Sequence, residues 1–342
     1  MSKLLVTGGA GFIGSNFIHY WLNKYPEDSI INFDKLTYAG HLENLLSLEN
    51  NPHYSFFKGD IVNKGDVDSV MKNVDLVVHF AAESHVDRSI EDPMIFARTN
   101  VSGTCVLLDS CLRHGRKRFH HISTDEVYGE LGANDPPFNE KTPFDPKSPY
   151  SASKAASDLM VNSYYTSYGL PITISNCANN YGPYQDPEKL VPNFITKLLE
   201  NKKVPLAGNG EHVRSWLAVE DHCSAIDYIL KSGEIGETYC IGGEEKTNLE
   251  TTKILLDIFG QSTSLIDFVG NRAVNDLRYA IDDSKIKKLG WKPLYKFEDR
   301  LKRTVFWYAN NRWWWGPLVR SNNRTFIKQF IVDFKQSLIH NT

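Results

Sequence analysis

The stretch Leu4-Leu5-Val6-Thr7-Gly8-Gly9-Ala10-Gly11-Phe12-Ile13-Gly14 decides the fold. A short apolar run enters a glycine-rich turn, and the turn opens a segment from Phe12 to Tyr25 whose apolar residues recur at helical spacing. The glycines permit a tight turn, close approach of a diphosphate and close packing of helix on strand. The helix N-terminus adds free N–H groups and the positive end of its dipole. A glycine motif alone is weak evidence, but this one has a strand before it and a helix after it. Asp34 closes the next strand-like run, twenty residues beyond Gly14. A carboxylate there accepts both hydroxyls of a ribose and repels a 2′-phosphate, which favours NAD over NADP. The other reading of Asp34 is a surface turn. Lys35 and Arg88 argue for NADP, and neither outweighs Asp34 at this position.

Outward from the loop, Ile30–Phe33, Tyr54–Phe57, Leu76–Val78, Phe119–Ser123 and Ile172–Ile174 read as strands, alternating with helical stretches such as Phe96–Leu112. Strands that alternate with helices pair in parallel through right-handed crossovers, so the expected fold is α/β, a Rossmann-type doubly wound parallel sheet. The cofactor-binding domain is expected over 1–178, with a returning segment near 211–235. A smaller, interleaved α/β substrate domain takes 179–210 and 236–315, and 316–342 form a C-terminal helical extension. Pro136 to Pro149 carries five prolines, which excludes helix and predicts an ordered loop over a cleft. After Trp313-Trp314-Trp315-Gly316-Pro317, residues Phe326, Ile327, Phe330, Ile331, Phe334 and Leu338 make an apolar helical stripe. Packing on the body or on a partner subunit is the main reading; membrane-surface attachment through Arg320, Arg324, Lys328 and Lys335 is the weaker one.

The chain has 342 residues with 38 basic and 41 acidic side chains, a net charge of −3. That balance excludes nucleic-acid binding by a bulk positive field. The five cysteines include no C-x-x-C pair, so neither a disulfide framework nor a zinc site is expected. No segment approaches the ~18 apolar residues of a membrane span, and the N-terminal apolar run is too short for a signal peptide. A cytoplasmic protein without membrane or nucleic-acid partners is expected.

Tyr150-Ser151-Ala152-Ser153-Lys154 puts a phenol and an ammonium on one face of a helix that starts after Pro149. For the phenol to act as a base at pH 7 its pKa must fall by about 3, and a nearby Lys⁺ or a cationic nicotinamide favours the phenolate. Alone, the pair reads more readily as a structural helix contact; with the glycine loop at the start of the chain, the catalytic reading prevails. Ser123-Thr124-Asp125-Glu126-Val127-Tyr128-Gly129 follows an apolar strand, at the end where open α/β sheets hold ligands. Its adjacent carboxylates are either solvated turn residues or an acid and a base whose environments separate their pKa values. His120-His121 lie on opposite faces of that strand and complete no metal site, so no metal is expected.

These motifs, with Ala81-Ala82-Glu83-Ser84-His85-Val86-Asp87-Arg88-Ser89 and Asn179-Asn180-Tyr181-Gly182-Pro183, occur in this order in the extended short-chain dehydrogenase/reductases. From residue 1 to about 315 the chain resembles the nucleotide-sugar 4,6-dehydratases among them, most closely those acting on dTDP-glucose. The resemblance implies C4 oxidation of the sugar, elimination of water across C5/C6, and hydride return to C6. It makes Tyr150, beside Lys154, the base at the 4-hydroxyl, with Thr124 hydrogen-bonded to that hydroxyl. Asp125 becomes the acid for the 6-hydroxyl and Glu126 the base at C5. For NAD it implies Gly8, Gly11, Phe12, Ile13, Gly14, Asp34, Lys35, Thr37, Asp60, Ile61, Ala81, Ala82, Thr99, Tyr150, Lys154 and Asn180. For the nucleotide-diphosphate hexose it implies Ser84, Thr124, Asn179, Lys189, Leu190, Asn193, Pro205, Arg214, Cys240, Arg272 and Asn275. Arg214 also fits on its own terms, since a diphosphate suits a cation with two hydrogen bonds to give. The resemblance further implies a homodimer.

Two positions depart from the family's pattern. Cys240 stands where relatives generally carry Asn, exchanging an amide donor for a weak thiol. In Asn271-Arg272-Ala273-Val274-Asn275-Asp276-Leu277-Arg278-Tyr279 the usual Pro, Gly and His are missing. Both changes concern the nucleotide end, which keeps UDP-glucose open as a substrate. A 4-epimerase or decarboxylase of the same scaffold is disfavoured by Asp125.

Overall fold

The computed structural model of the chain describes residues 1–270 and 276–320. Each expected apolar run forms a strand: β1 (Lys3–Thr7), β2 (Ser29–Asp34), β3 (Tyr54–Lys58), β4 (Leu76–His79), β5 (Arg118–Thr124) and β6 (Ile172–Cys177). β1, β4, β5 and β6 are almost wholly buried, as strands covered by helices on both faces must be. β7 (Asn179–Tyr181), β8 (Val204–Ala207), β9 (Val213–Ala218), β10 (Thr238–Ile241), β11 (Glu244–Thr247) and β12 (Ile266–Val269) follow.

The large sheet runs β10-β6-β5-β4-β1-β2-β3, all parallel. Strand order reverses between β1 and β4, the place where a doubly wound sheet opens a crevice beyond its strand ends. The fold is the expected doubly wound Rossmann type. Two small sheets, β11-β9-β7 and β12-β8, stand beside it. The helix Val219–Ser232, in the returning segment, packs Val219, Cys223, Ile226 and Leu230 against Phe17, Trp21 and Leu22 of the Phe12–Lys24 helix.

Three details differ from expectation. Thr238–Ile241, placed by its flanking glycines with the smaller domain, pairs with β6 and forms the edge of the large sheet. The proline-rich loop, residues 136–149, contributes no side chain to the lining of the crevice and runs against the 278–281 segment, with Phe138 N–H bonded to Ala280 O at 2.9 Å. The stretch expected as one helix over Phe96–Leu112 is helix Pro93–Phe96, a π-helical turn Ala97–Gly103 and helix Thr104–Arg113. The extra residue of a π-turn re-aims side chains. Here Asn100 brackets the Glu83 backbone, accepting its N–H at 2.8 Å and donating to its carbonyl at 3.0 Å. At the C-terminus, residues 312–320 are helical. The stripe from Phe326 to Leu338 lies outside the described residues.

Candidate active site

The glycine loop leaves no room for side chains. Gly8 has φ +68°, and a Cβ there would stand 2.6 Å from the Ala81 backbone nitrogen; a Cβ on Gly14 would stand 2.4 Å from the Gly8 carbonyl oxygen. Gly11 caps the Phe12–Lys24 helix without a side-chain acceptor, so its first-turn N–H groups face the crevice undecorated. Asp34 accepts the Ala10 N–H at 3.0 Å through one oxygen and the Leu36 N–H at 2.8 Å through the other. Burial raises its carboxyl above the usual range, and these backbone donors oppose the rise. Each oxygen keeps acceptor capacity toward the crevice. A bare helix end and a carboxylate on the adjacent strand fit the diphosphate and ribose of a dinucleotide.

The chemical groups converge on the same cavity. Ser148 N-caps the Pro149–Tyr168 helix in a capping box with Ser151, and Pro149 takes the first turn. That start fixes Tyr150 and Lys154 on the buried face over β5. Thr124 ends β5 and caps the short 3₁₀ turn Asp125–Tyr128, accepting the Glu126 N–H at 3.3 Å. Thr124, Asp125, Glu126, Tyr150 and Lys154 all line the cavity. Asp125 accepts the Thr124 hydroxyl at 3.2 Å on one oxygen, and its other oxygen is buried without a hydrogen-bond partner among the described residues. Burial first, then the charge of Glu126, pushes the Asp125 carboxyl up to about 8. Burial also raises Glu126, against the pull of Lys189 and Arg214. Environment thus makes Asp125 an acid that keeps its proton at neutral pH.

The phenol behaves otherwise than the sequence argument asked. Burial, then the charges of Glu126, Cys177 and Asp125, raise Tyr150 well above its ordinary value. Lys154 does not offset this, because its ammonium donates to the Ile122 carbonyl at 2.7 Å and lies 3.4 Å from His121 Nε2. Burial lowers Lys154 to about 8, against the pull of Asp158. His121 is therefore a neighbour of the lysine, with Asp158 Oδ1 at 3.2 Å, whereas His120 is held structurally by Thr173 and Ser175. Asp158 follows Lys154 at the same four-residue spacing that separates Lys154 from Tyr150, a signal that would have found it.

The residues expected for NAD all line this cavity, as do Ser84, Asn179 and Lys189. Asn179 Oδ1 is a second buried acceptor without a described partner. Leu190, Asn193, Pro205 and Arg214 stand outside the lining. Arg214 donates to the Val213 and Asp276 carbonyls and stacks 4.8 Å from the Tyr279 ring centroid. Cys240 also stands outside the lining: it is fully buried among Val127, Tyr128, Phe138 and Ala155, its thiol 3.5 Å from the Tyr128 hydroxyl. Arg272 and Asn275 lie outside the described residues. Glu83, His85, Cys177, Tyr184 and Gln185 line the cavity without having been singled out as ligand contacts. Among the described residues, His85, Asp186 and Glu188 bring three ligand-type atoms within 4.8 Å of one another. Within it Arg88 pairs with Glu188 at 3.5 Å, and His85 Nε2 lies 3.3 Å from the same carboxylate.

Residues 5–304 match the model of the family described as GDP-mannose 4,6 dehydratase. A dTDP-glucose 4,6-dehydratase of Streptomyces antibioticus is 50% identical over 323 residues, 92% of this chain and 95% of that protein. The crystal structure of dTDP-glucose 4,6-dehydratase from Bacillus anthracis in complex with NAD shares 48% identity at a TM-score of 0.88, covering 93% of this chain and 100% of that one. That of the Streptomyces venezuelae dTDP-glucose 4,6-dehydratase with NAD and TYD bound shares 48% at 0.90, covering 92% and 99%. With a family match that spans the loop, the strand-end carboxylates and the phenol, and a relative 50% identical over nearly the whole chain, this chain belongs to the GDP-mannose 4,6 dehydratase family.

Proposed function

We propose that the chain is an NAD-dependent hydro-lyase that converts dTDP-glucose to dTDP-4-keto-6-deoxyglucose. The observation that carries this reading is a buried acid held at about 8 beside a second carboxylate, in the same cavity as the glycine loop and the phenol. An epimerase has no use for a proton donor at a departing hydroxyl; a dehydratase requires one. NAD, when bound, supplies the acceptor and later the donor of one hydride, and a positive charge beside the phenol.

The chain's residues do the rest. Tyr150 takes the proton of the 4-hydroxyl, which Thr124 orients. The ketone so formed acidifies C5–H, and Glu126 removes that proton. Asp125 gives its proton to the 6-hydroxyl, which leaves as water. Glu126 then returns a proton to C5 as C6 is reduced. Lys154 places a cation beneath the phenol's helix. Residues 1–178 with 211–235 and β10 form the cofactor-binding domain, and 179–210 with the remainder to 315 form the substrate domain.

The enzyme works as a homodimer in the cytoplasm. Leu159, Tyr165 and Tyr168 are exposed apolar side chains on the Pro149–Tyr168 helix, and Met94 is exposed nearby in sequence to the π-turn. All five cysteines are unpaired, and no described helix is long and apolar enough to cross a membrane. The test is incubation with dTDP-, UDP-, GDP- and CDP-glucose. Loss of one water from the dTDP-sugar without net NAD reduction is expected; a product of unchanged mass would indicate an epimerase.

A further inference from the structure

The tryptophan run near the C-terminus reaches the cofactor cavity from the far end of the chain. Trp314 is 4% exposed, and its indole N–H donates to Asn44 Oδ1 at 2.7 Å. An indole N–H can only donate, so the Asn44 amide is fixed in orientation. Asn44 Nδ2 donates in turn to the Ala10 carbonyl at 2.9 Å, and the Ala10 N–H donates to Asp34 Oδ2 at 3.0 Å. A buried chain of hydrogen bonds therefore runs from Trp314 through the glycine loop to the carboxylate that closes β2. The Trp314 ring also stands edge-on to His41 and to Tyr184, with centroids 6.3 and 5.7 Å away. Both rings line the cavity, as does Gln185, whose carbonyl accepts the Tyr308 hydroxyl.

We propose that Trp314 is a positioning residue for the dinucleotide: through Asn44 it holds the glycine loop, and through His41 and Tyr184 the facing wall, so that it slows release of NAD. The inference rests on reading the cavity as an NAD site. It suits that chemistry, because a cycle that takes a hydride and gives it back leaves the cofactor as it began. Nothing in turnover requires NAD to depart, and a latch on its exit does not slow the reaction. Losing one buried neutral hydrogen bond corresponds to about a three- to tenfold faster release.

The experiment follows NAD leaving the purified full-length holoenzyme, with freed NAD reduced by a trapping dehydrogenase in excess. Trp314→Phe keeps an aromatic ring and removes the N–H; Asn44→Ala breaks the same chain one link further on. Each is expected to release NAD about three- to tenfold faster than wild type, and the double variant no faster than Asn44→Ala alone. Trp315→Phe removes the neighbouring indole bond to the Tyr308 carbonyl and leaves Asn44 untouched; its release rate is expected to match wild type. Wild-type release from Trp314→Phe, additive effects in the double variant, or equal acceleration by Trp315→Phe would each overturn the proposal while leaving the NAD site intact. A wild-type protein that binds no NAD would overturn the underlying reading and this proposal with it.

Discussion

The charge of Glu126 acts on its chain neighbour Asp125: after burial it is the largest influence holding the Asp125 carboxyl at about 8. A carboxyl so placed is protonated at neutral pH and can donate to a leaving hydroxyl. Asp125→Asn, which has no proton to give at that potential, is expected to slow elimination by about 10²–10⁴-fold. C4 oxidation should suffer far less, so single-turnover kinetics should separate the two steps. Equal loss of both would remove the role assigned to Asp125.

The same residue links stability to pH. Its folded pKa lies above its unfolded value, so its contribution is fully present below about pH 4 and is lost as pH rises through about 8. Asp125→Asn cannot ionise and escapes that loss. The NAD-free variant should melt above wild type at pH 8, by about 5 °C, with the difference shrinking toward pH 4. Thermal scans across that range check the sign; a variant less stable at pH 8 than at pH 4, relative to wild type, would refute it.

Gly14 faces the Gly8 carbonyl oxygen at a distance that admits no Cβ, since both sides are backbone. Gly14→Ala should cost about 1–3 kcal/mol of stability and, by displacing the loop, weaken NAD binding by about tenfold or more. Calorimetry of the variant with and without NAD reads both quantities.

Cys240 is buried against Tyr128 and stands outside the cavity lining. Cys240→Ala is therefore expected to lower the melting temperature modestly and to leave the ratio of kcat/KM for dTDP-glucose over UDP-glucose unchanged. A shift in that ratio would place the thiol in nucleotide selection after all.

What could be read from the chain, and what could not, follows from the range of the forces involved. Strand–turn–helix around Gly8–Gly14, and a helix opening at the end of the proline-rich stretch, are local patterns, so they and the parallel sheet were legible; the Ser148 capping box was not singled out. So was the gathering of the Thr124–Glu126 turn with Tyr150, because strand ends of a doubly wound sheet meet at one crevice. The direction of the Lys154 ammonium was not, for it depends on the Ile122 carbonyl and on His121, more than thirty positions away. Nor was the link between Trp314 and Asn44, which are 270 residues apart. The burial of Cys240 was not legible either, because a strand's alternation shows two faces but not which one meets the core until its pairing with β6 is known.

The central claim is that one hydride leaves C4 of the sugar and returns to C6 within a single active-site cycle. Turnover of dTDP-glucose deuterated at C4, with the product read by NMR and mass spectrometry, tests it most directly. The account predicts deuterium at C6 of a product lighter by one water, with no net NADH formed. Deuterium lost to solvent, or retained at C4, would contradict it.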